Sequence, residues 1–324
     1  MTMVKHLSEQ TLPRLGVALA FQAPLKTLFE QPDDDFDLAE VVPDILWVDQ
    51  GEGVHPRFID DAEGMAWLRA LRANMPVIPH GIGMSIGSAR PQDMEHLQQL
   101  QRWHQQLQFP WHSDHLAFHV ADRNGQPINT GVTLPLPRDR QTIEMIRPKV
   151  QQVMQTIPVP FLLENNVYYF DMPDEDMDEA RFLNTLCAET GCGLLLDLHN
   201  IYTNAVNHGF DAMDLLADID LRHVGEIHVA GGMTHEGVYL DAHSDVLPDL
   251  VWTMLEHALP RCPNVGAVTF ELFGSWYDVV GEQRVRAELR RLKRIWADVF
   301  NSGGGALKSA TRARHRAGES ALTS

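Results

Sequence analysis

The sequence predicts a (β/α)8 TIM barrel. Short apolar segments alternate with longer amphipathic ones along the whole chain, and none of the short ones is placed for an obvious antiparallel pair. The alternation makes eight regular units over roughly 290 residues, a span that suits one closed barrel better than a doubly wound open sheet. We expect a single catalytic barrel over 1–301 and a separate tail over 302–324.

The expected strands are "LGVALAF" (15–21), "DILWVD" (44–49), "PVIPHG" (76–81), "PWHSDHLAF" (110–118), "VPFLLEN" (159–165), "CGLLLDL" (192–198), "HVGEIHVA" (223–230) and "VGAVTFEL" (265–272). Between them, "PQDMEHLQQLQRWHQQL" repeats apolar residues at helical spacing (Met94, Leu97, Leu100, Leu107) and has Pro91 near its start. "DEARFLNTLCAETG" stops on Gly191, a helix terminator, and "EQRVRAELRRLKRIWADVF" closes the fold as a basic helix. The longest loops, 119–137 and 230–246, follow strands and so belong to the face where barrel active sites are built. After Asn301 the composition turns to Gly, Ser, Ala and Arg, which reads as a disordered basic tail.

Composition narrows the function. With 44% hydrophobic and 22% charged residues in 324, the chain reads as an ordinary globular protein. No window approaches the ~18 apolar residues of a membrane span, and "MTMVKHLSEQTLPR" lacks the apolar core of a secretory signal. Three cysteines (Cys187, Cys192, Cys262) give no disulfide framework and no zinc ribbon, so the cytoplasm is the expected compartment and Cys187 and Cys192 read as core residues. Net charge is −18; the tail carries +3, which leaves −21 on the body. Such a body repels phosphate backbones, so nucleic acid is not an expected partner. A basic peptide, a small molecule or a protein is compatible with it.

The chemistry concentrates where strands end. Side chains at i and i+2 of a strand share a face, about 6.5–7 Å apart, so a carboxylate and an imidazole at that spacing converge on one ion. "DLH" offers Asp197 and His199, "EIH" offers Glu226 and His228, and "DAH" offers Asp241 and His243. Single groups end other strands: His80, Asp114 and His115, Glu164, and Glu271. Taken singly, each fits a hydrogen-bonded structural residue. Together they would gather more charge at one barrel mouth than burial tolerates unpaired, and few lysines or arginines lie near to offset it. Metal cations are the economical explanation. Ligands of N and O without thiolate point to non-haem iron, zinc or manganese, and more than six of them to two or three ions with carboxylates such as Glu164 bridging. Other motifs are weaker: "GIGMSIGS" (81–88) is not a dinucleotide fingerprint, no serine nucleophile elbow is present, and "PDDDFD" (32–37) reads as a solvated loop without calcium-site spacing.

"PHGIGMSIGS", "HSDHLAF", "NTGVTLPLP", "LLENN", "GCGLLLDLHNIYTNAVNHGFD", "GEIHVAGG" and "DAHSDVLPDLVW" follow one another between residues 76 and 272. Together they resemble the multinuclear non-haem iron-dependent oxidative enzymes, the MbnB-like family of methanobactin-biosynthesis type. The resemblance implies a xylose-isomerase-like barrel holding two or three irons of mixed ferrous and ferric state, with dioxygen as co-substrate. It implies oxidation of residues, often cysteine, in a ribosomally synthesised precursor peptide, usually presented by a separate partner protein.

By motif, the iron ligands implied are His80, His115, Glu164, Asp197, Asn200, His228, Asp241, His243 and Glu271, with Glu164 the bridge. Asn200 then takes the place that spacing alone gives to His199, and "AVNHG" becomes a loop over the site. His199, Asp114 and Glu226 become the catalytic candidates beside the metals, Glu226 orienting a ligand or a water. The chain departs from the family pattern in four places. Asp114 stands for Glu, His199 for Asn, strand two offers only Asp49 and Glu52 instead of Glu-x-His, and "FELFGSWYD" replaces Glu-Trp-Asp. A metal-dependent sugar isomerase and a trinuclear-zinc endonuclease-like hydrolase use nearly the same ligand layout and are the alternatives. A non-enzymatic metal-binding scaffold would have lost several of these positions.

Overall fold

The computed structural model describes Leu7 and residues 12–170 and 175–300; the expected tail lies outside the described residues. Eight parallel strands close into a barrel, each paired with its sequence neighbours: β1 Gly16–Ala20, β2 Leu38–Val41, β3 Val77–Gly81, β4 His112–His115, β5 Phe161–Glu164, β6 Gly193–Asp197, β7 Val224–Val229 and β8 Ala267–Phe270. Helices α1 Lys26–Glu30, α2 Ala62–Arg72, α3 Met94–Leu107, α4 Arg140–Thr156, α5 Glu179–Thr190, α6 Leu198–His208, α7 Ala212–Asp218, α8 Asp249–Ala258, α9 Tyr277–Val280 and α10 Glu282–Phe300 accompany them. Aspartates start many of these helices. Asp61, Asp93, Asp139, Asp178, Asp197 and Asp211 each accept hydrogen bonds from N–H groups of the turn that follows, which satisfies donors no helix can satisfy internally.

One strand lies elsewhere than expected. The second barrel strand is Leu38–Val41, not 44–49. Pro43 begins a 3-10 turn over Pro43–Ile45, and Trp47–Asp49 pairs antiparallel with Phe58–Asp60 outside the barrel. Asp49 and Glu52 are ion-paired there with Arg57 (2.8 Å) and Arg90 (3.1 Å). The two expected long loops are largely hairpins as well, Phe118–Arg123 with Gln126–Leu134 and Gly231–His235 with Val238–Asp245. Nor is "PDDDFD" simply solvated: Asp35 is buried and takes Arg286 (2.9 Å) and Arg290 (2.7 Å), while Asp37 takes Lys293 (2.7 Å), so the basic face of α10 is pinned against the β1–β2 connection.

Strand alternation builds the interior in layers. Ala18, Leu38, Ile78, Leu162, Leu195 and Ala267 pack with Trp111, Leu7 and Leu12 as an apolar floor inside the barrel. Two residues further along the same strands stand Glu40, His80, Glu164, Asp197 and Thr269, aimed the same way. The intervening residues, such as Ala39, Leu163, Leu196 and Val268, face outward into the core under the helices. The polar layer therefore rests directly on a dry floor. Leu195→Ala is expected to lower unfolding free energy by about 2–5 kcal/mol, read by urea titration of the metal-free protein.

Candidate metal centre

Six barrel strands, one hairpin strand, the residue after β8 and a helix deliver polar groups around and above that floor. Glu40 comes from β2, His80 from β3, Ser113 and His115 from β4, Glu164 from β5, Asp197 from β6, and Glu226 and His228 from β7. Glu271 follows β8 directly; the Val238–Asp245 strand brings Asp241 and His243, and the first turn of α6 brings His199 and Asn200. His243 holds a left-handed φ of 43°, a conformation non-glycine residues rarely adopt and one that clusters at functional sites.

The donors form overlapping groups. His80, His115 and Glu164 make one; Glu164, Asp197 and His228 a second; Asp197, His243 and Glu271 a third; and His199, Asp241 and His243 a fourth, with donor atoms inside each group within 4.8 Å of one another. Glu164 is common to the first and second, Asp197 to the second and third, and His243 to the third and fourth. In the first group, Glu164 Oε2 lies 3.1 Å from His80 Nε2 and 3.3 Å from His115 Nε2. The far side of each ring is tied down. His115 Nδ1–H donates to the Gly81 carbonyl (3.1 Å), and His80 Nδ1 meets Ser113 Oγ (2.9 Å), whose own hydroxyl donates to the Pro79 carbonyl (3.4 Å). Both Nε2 atoms therefore face one carboxylate oxygen, an arrangement that a proton or a metal cation between them satisfies.

Buried atoms without hydrogen-bond partners mark the same place. Glu164 Oε2, Asp197 Oδ2, Asn200 Oδ1, His228 Nδ1 and both ring nitrogens of His243 are all in this state. Buried polar atoms are nearly always paired, so a concentration of orphans in one layer is a strong signal of a ligand. Six carboxylates (Glu40, Glu164, Asp197, Glu226, Asp241, Glu271) face five imidazoles (His80, His115, His199, His228, His243), and among the described residues no lysine or arginine pairs with them. Even fully protonated imidazoles would leave one negative charge. The N/O donor set and its buried, overlapping orphans fit two or three transition-metal ions.

The strain of holding these charges without metal is visible in their proton affinities. Burial, added to by Glu164 and Asp241, drives the Asp197 carboxyl well above its usual range. Burial opposes the ionised form of Glu164 too, but His115 and His80 outweigh it and hold that carboxyl at about 2. Burial would lower His243, yet Asp241 and Glu271 raise it to about 10. Burial likewise works against protonating His228, and Glu40 and Glu271 overcome it and push the ring well up.

The three catalytic candidates fall in different places. His199 is buried beside the centre, with Nδ1 2.8 Å from Asp241 Oδ1 and Nε2 3.2 Å from the Tyr239 hydroxyl. Glu226 lies under His228, its oxygens accepting from Trp111 Nε1 (2.8 Å) and Thr269 Oγ1 (2.6 Å). Asp114 is on the opposite face of β4 from His115 and accepts from the Met84 N–H (3.3 Å), and burial lifts its carboxyl to about 6. It does not join the donor groups. Asn200 is close in: Nδ2 donates to Glu164 Oε1 (3.3 Å) and to the Asn165 carbonyl (3.0 Å). The segment "AVNHG" is the last turn of α6 and its Gly209 stop, not a loop over the site. Glu40 escaped the sequence reading altogether, although "LAEV" is apolar on both sides of it and Pro43 marks the strand's end.

Fold and site together define a xylose-isomerase-like TIM barrel with a candidate metal centre at its mouth. Similar solved structures include a D-psicose 3-epimerase from Clostridium cellulolyticum H10 (TM-score 0.54, 14% identity, 88% of this chain and 98% of that one). A xylose isomerase-like TIM barrel protein from Mycobacterium smegmatis in complex with magnesium is similar too (TM-score 0.52, 12% identity, 89% and 98%). At such identities the likeness concerns the fold. Residues 16–295 match the family described as RiPP precursor modification enzyme MbnB/TglH/ChrH, and the chain belongs to that family. Relatives include a UPF0276 protein from Caulobacter vibrioides, 32% identical over 256 residues (78% of this chain, 85% of the relative). Another, from Bordetella pertussis, is 37% identical over 202 residues (60% and 67%). No helix among the described residues is long and apolar enough to cross a membrane.

Proposed function

We propose that this chain is an iron- and dioxygen-dependent oxidoreductase that modifies a residue, cysteine first among the candidates, of a ribosomally made precursor peptide presented by a separate protein. The observation that supports it most is the run of overlapping donor groups, orphaned and buried, linked through Glu164 and Asp197. His80, His115 and Glu164 would hold one iron, and Glu164, Asp197, Asn200 and His228 a second. Asp197, Asp241, His243 and Glu271 would hold a third. When bound, the irons would supply Lewis acidity and a store of electrons for reducing dioxygen.

The chain's own residues do the rest. The apolar floor keeps water from entering beneath the polar layer. Exposed aromatics stand at the open end: Tyr169 accepts the Asp241 N–H (3.1 Å), and Phe273 packs on the His243 ring (4.6 Å). They offer a peptide an apolar rim next to the donors. His199 donates Nδ1–H to Asp241 and receives the Tyr239 hydroxyl at Nε2, so it holds the Asp241 carboxylate in position. His199→Asn is expected to leave iron content unchanged and to lower turnover about tenfold to a hundredfold, measured by metal analysis beside steady-state kinetics.

The test is protein purified without oxygen. Iron in the preparation, with activity that stops under argon, supports the reading; zinc alone, with activity that survives anaerobiosis, sinks it.

A further inference from the structure

We infer that Glu40 is a positioning residue that fixes His228 as an Nδ1 donor to the metal centre, while Glu226 is anchored beneath the same ring by Trp111 and Thr269. The inference rests on the metal-centre reading above and adds to it a residue that no motif revealed.

Glu40 is buried on β2, and its Oε2 lies 2.8 Å from His228 Nε2. The other ring nitrogen, Nδ1, has no hydrogen-bond partner and stands 3.1 Å from Glu271 Oε2, and His228 as a residue is grouped with Glu164 and Asp197. A neutral imidazole carries one proton. A carboxylate accepting that proton's hydrogen bond at Nε2 leaves the Nδ1 lone pair for a cation.

Glu226 does not compete for the proton. Both its oxygens are engaged, by Trp111 Nε1–H at 2.8 Å and Thr269 Oγ1–H at 2.6 Å, and its nearer oxygen is 3.7 Å from His228 Nε2. Glu40, Glu226 and His228 are close enough together to be considered as a metal site themselves. Their facing atoms, however, already have hydrogen-bond partners, whereas Glu164 Oε2, Asp197 Oδ2 and both ring nitrogens of His243 in the layer above do not. That contrast separates a support from the site it supports. Two carboxylates behind one imidazole make it a stronger ligand, the usual effect of an acid–imidazole–metal arrangement.

The test loads the full chain anaerobically with ferrous iron-57, in wild-type, Glu40→Gln and Glu40→Asp forms. Irons per chain, their Mössbauer signatures and their release rates to a ferrous chelator are read beside the melting of the metal-free proteins. In Glu40→Gln, one iron is expected to leave about 10- to 100-fold faster while the iron on His80 and His115 leaves at the wild-type rate. Glu40→Asp, which keeps the charge, should fall between, and it decides alone should the glutamine form fail to fold. Unchanged release in both variants overturns the inference, and so does equal acceleration of every iron. A lowered metal-free melting point with normal iron release would show a merely structural role and overturn it too. Wild-type protein that binds no iron would instead overturn the metal-centre reading itself.

Discussion

Glu164→Gln is expected to empty two metal positions together and to lower turnover roughly a thousandfold, the equivalent of losing about 4 kcal/mol of transition-state stabilisation. The reason is geometric. Glu164 Oε2 closes the group with His80 and His115, and the same side chain closes the group with Asp197 and His228. Glutamine has the size of glutamate but not its charge, so one neutral amide would replace the anion that both positions share. His115→Ala, by contrast, removes a donor from one group only. Its effect on metal content should be confined to one ion, and metal analysis of the two variants side by side checks the difference.

The second large effect is the response of stability to pH and its reversal by metal. In the metal-free protein, Asp197 and Glu40 are raised by burial above usual values of 3.8 and 4.5, and His243 reaches about 10 against 6.5. Each of these groups, folded, keeps a proton that the unfolded chain has released. Their contribution is full below the unfolded values and is lost as pH rises through the folded ones. Glu164, at about 2, and Asp241 and Glu271, also lowered, act oppositely: what they contribute is present above their unfolded values and lost as pH falls. The metal-free protein should therefore melt highest in mildly acid solution and lose stability steadily from about pH 6 toward pH 10. Metal needs the same groups deprotonated, so its stabilisation grows with pH. At a hundredfold excess over its dissociation constant it adds about 2.7 kcal/mol per site. Calorimetry across this range, with chelator and with ferrous iron under argon, should give curves that diverge as pH rises.

Much of this site is legible in sequence because strand alternation is strict. Where the apolar strand is clear, as in "GLLLD" or "FLLE", the residue at its end must face the barrel mouth, and Asp197 and Glu164 do. The stretch 36–49 misleads for an equally physical reason. Two runs stand side by side, and the unbroken one, "ILWV", leads into an outside hairpin with Val48 exposed, while the one interrupted by a charge, "LAEV", is fully buried. Choosing the unbroken run hides Glu40. Alternation also decides between Asp114 and His115, adjacent in sequence but on opposite faces of β4, and only His115 meets Glu164. The hairpins that carry Asp241 and His243 are harder to read. Their polar, half-buried strands show no apolar periodicity, so the residues were recognisable but their support was not.

The most direct measurement of the central claim is oxygen uptake by anaerobically prepared, iron-loaded protein on addition of the short peptide encoded beside its gene, with the presenting protein if one is encoded there. The account predicts uptake only when peptide is present, accompanied by a change in peptide mass that is absent under argon. A peptide modified equally well without oxygen, or by zinc-loaded protein, would contradict it.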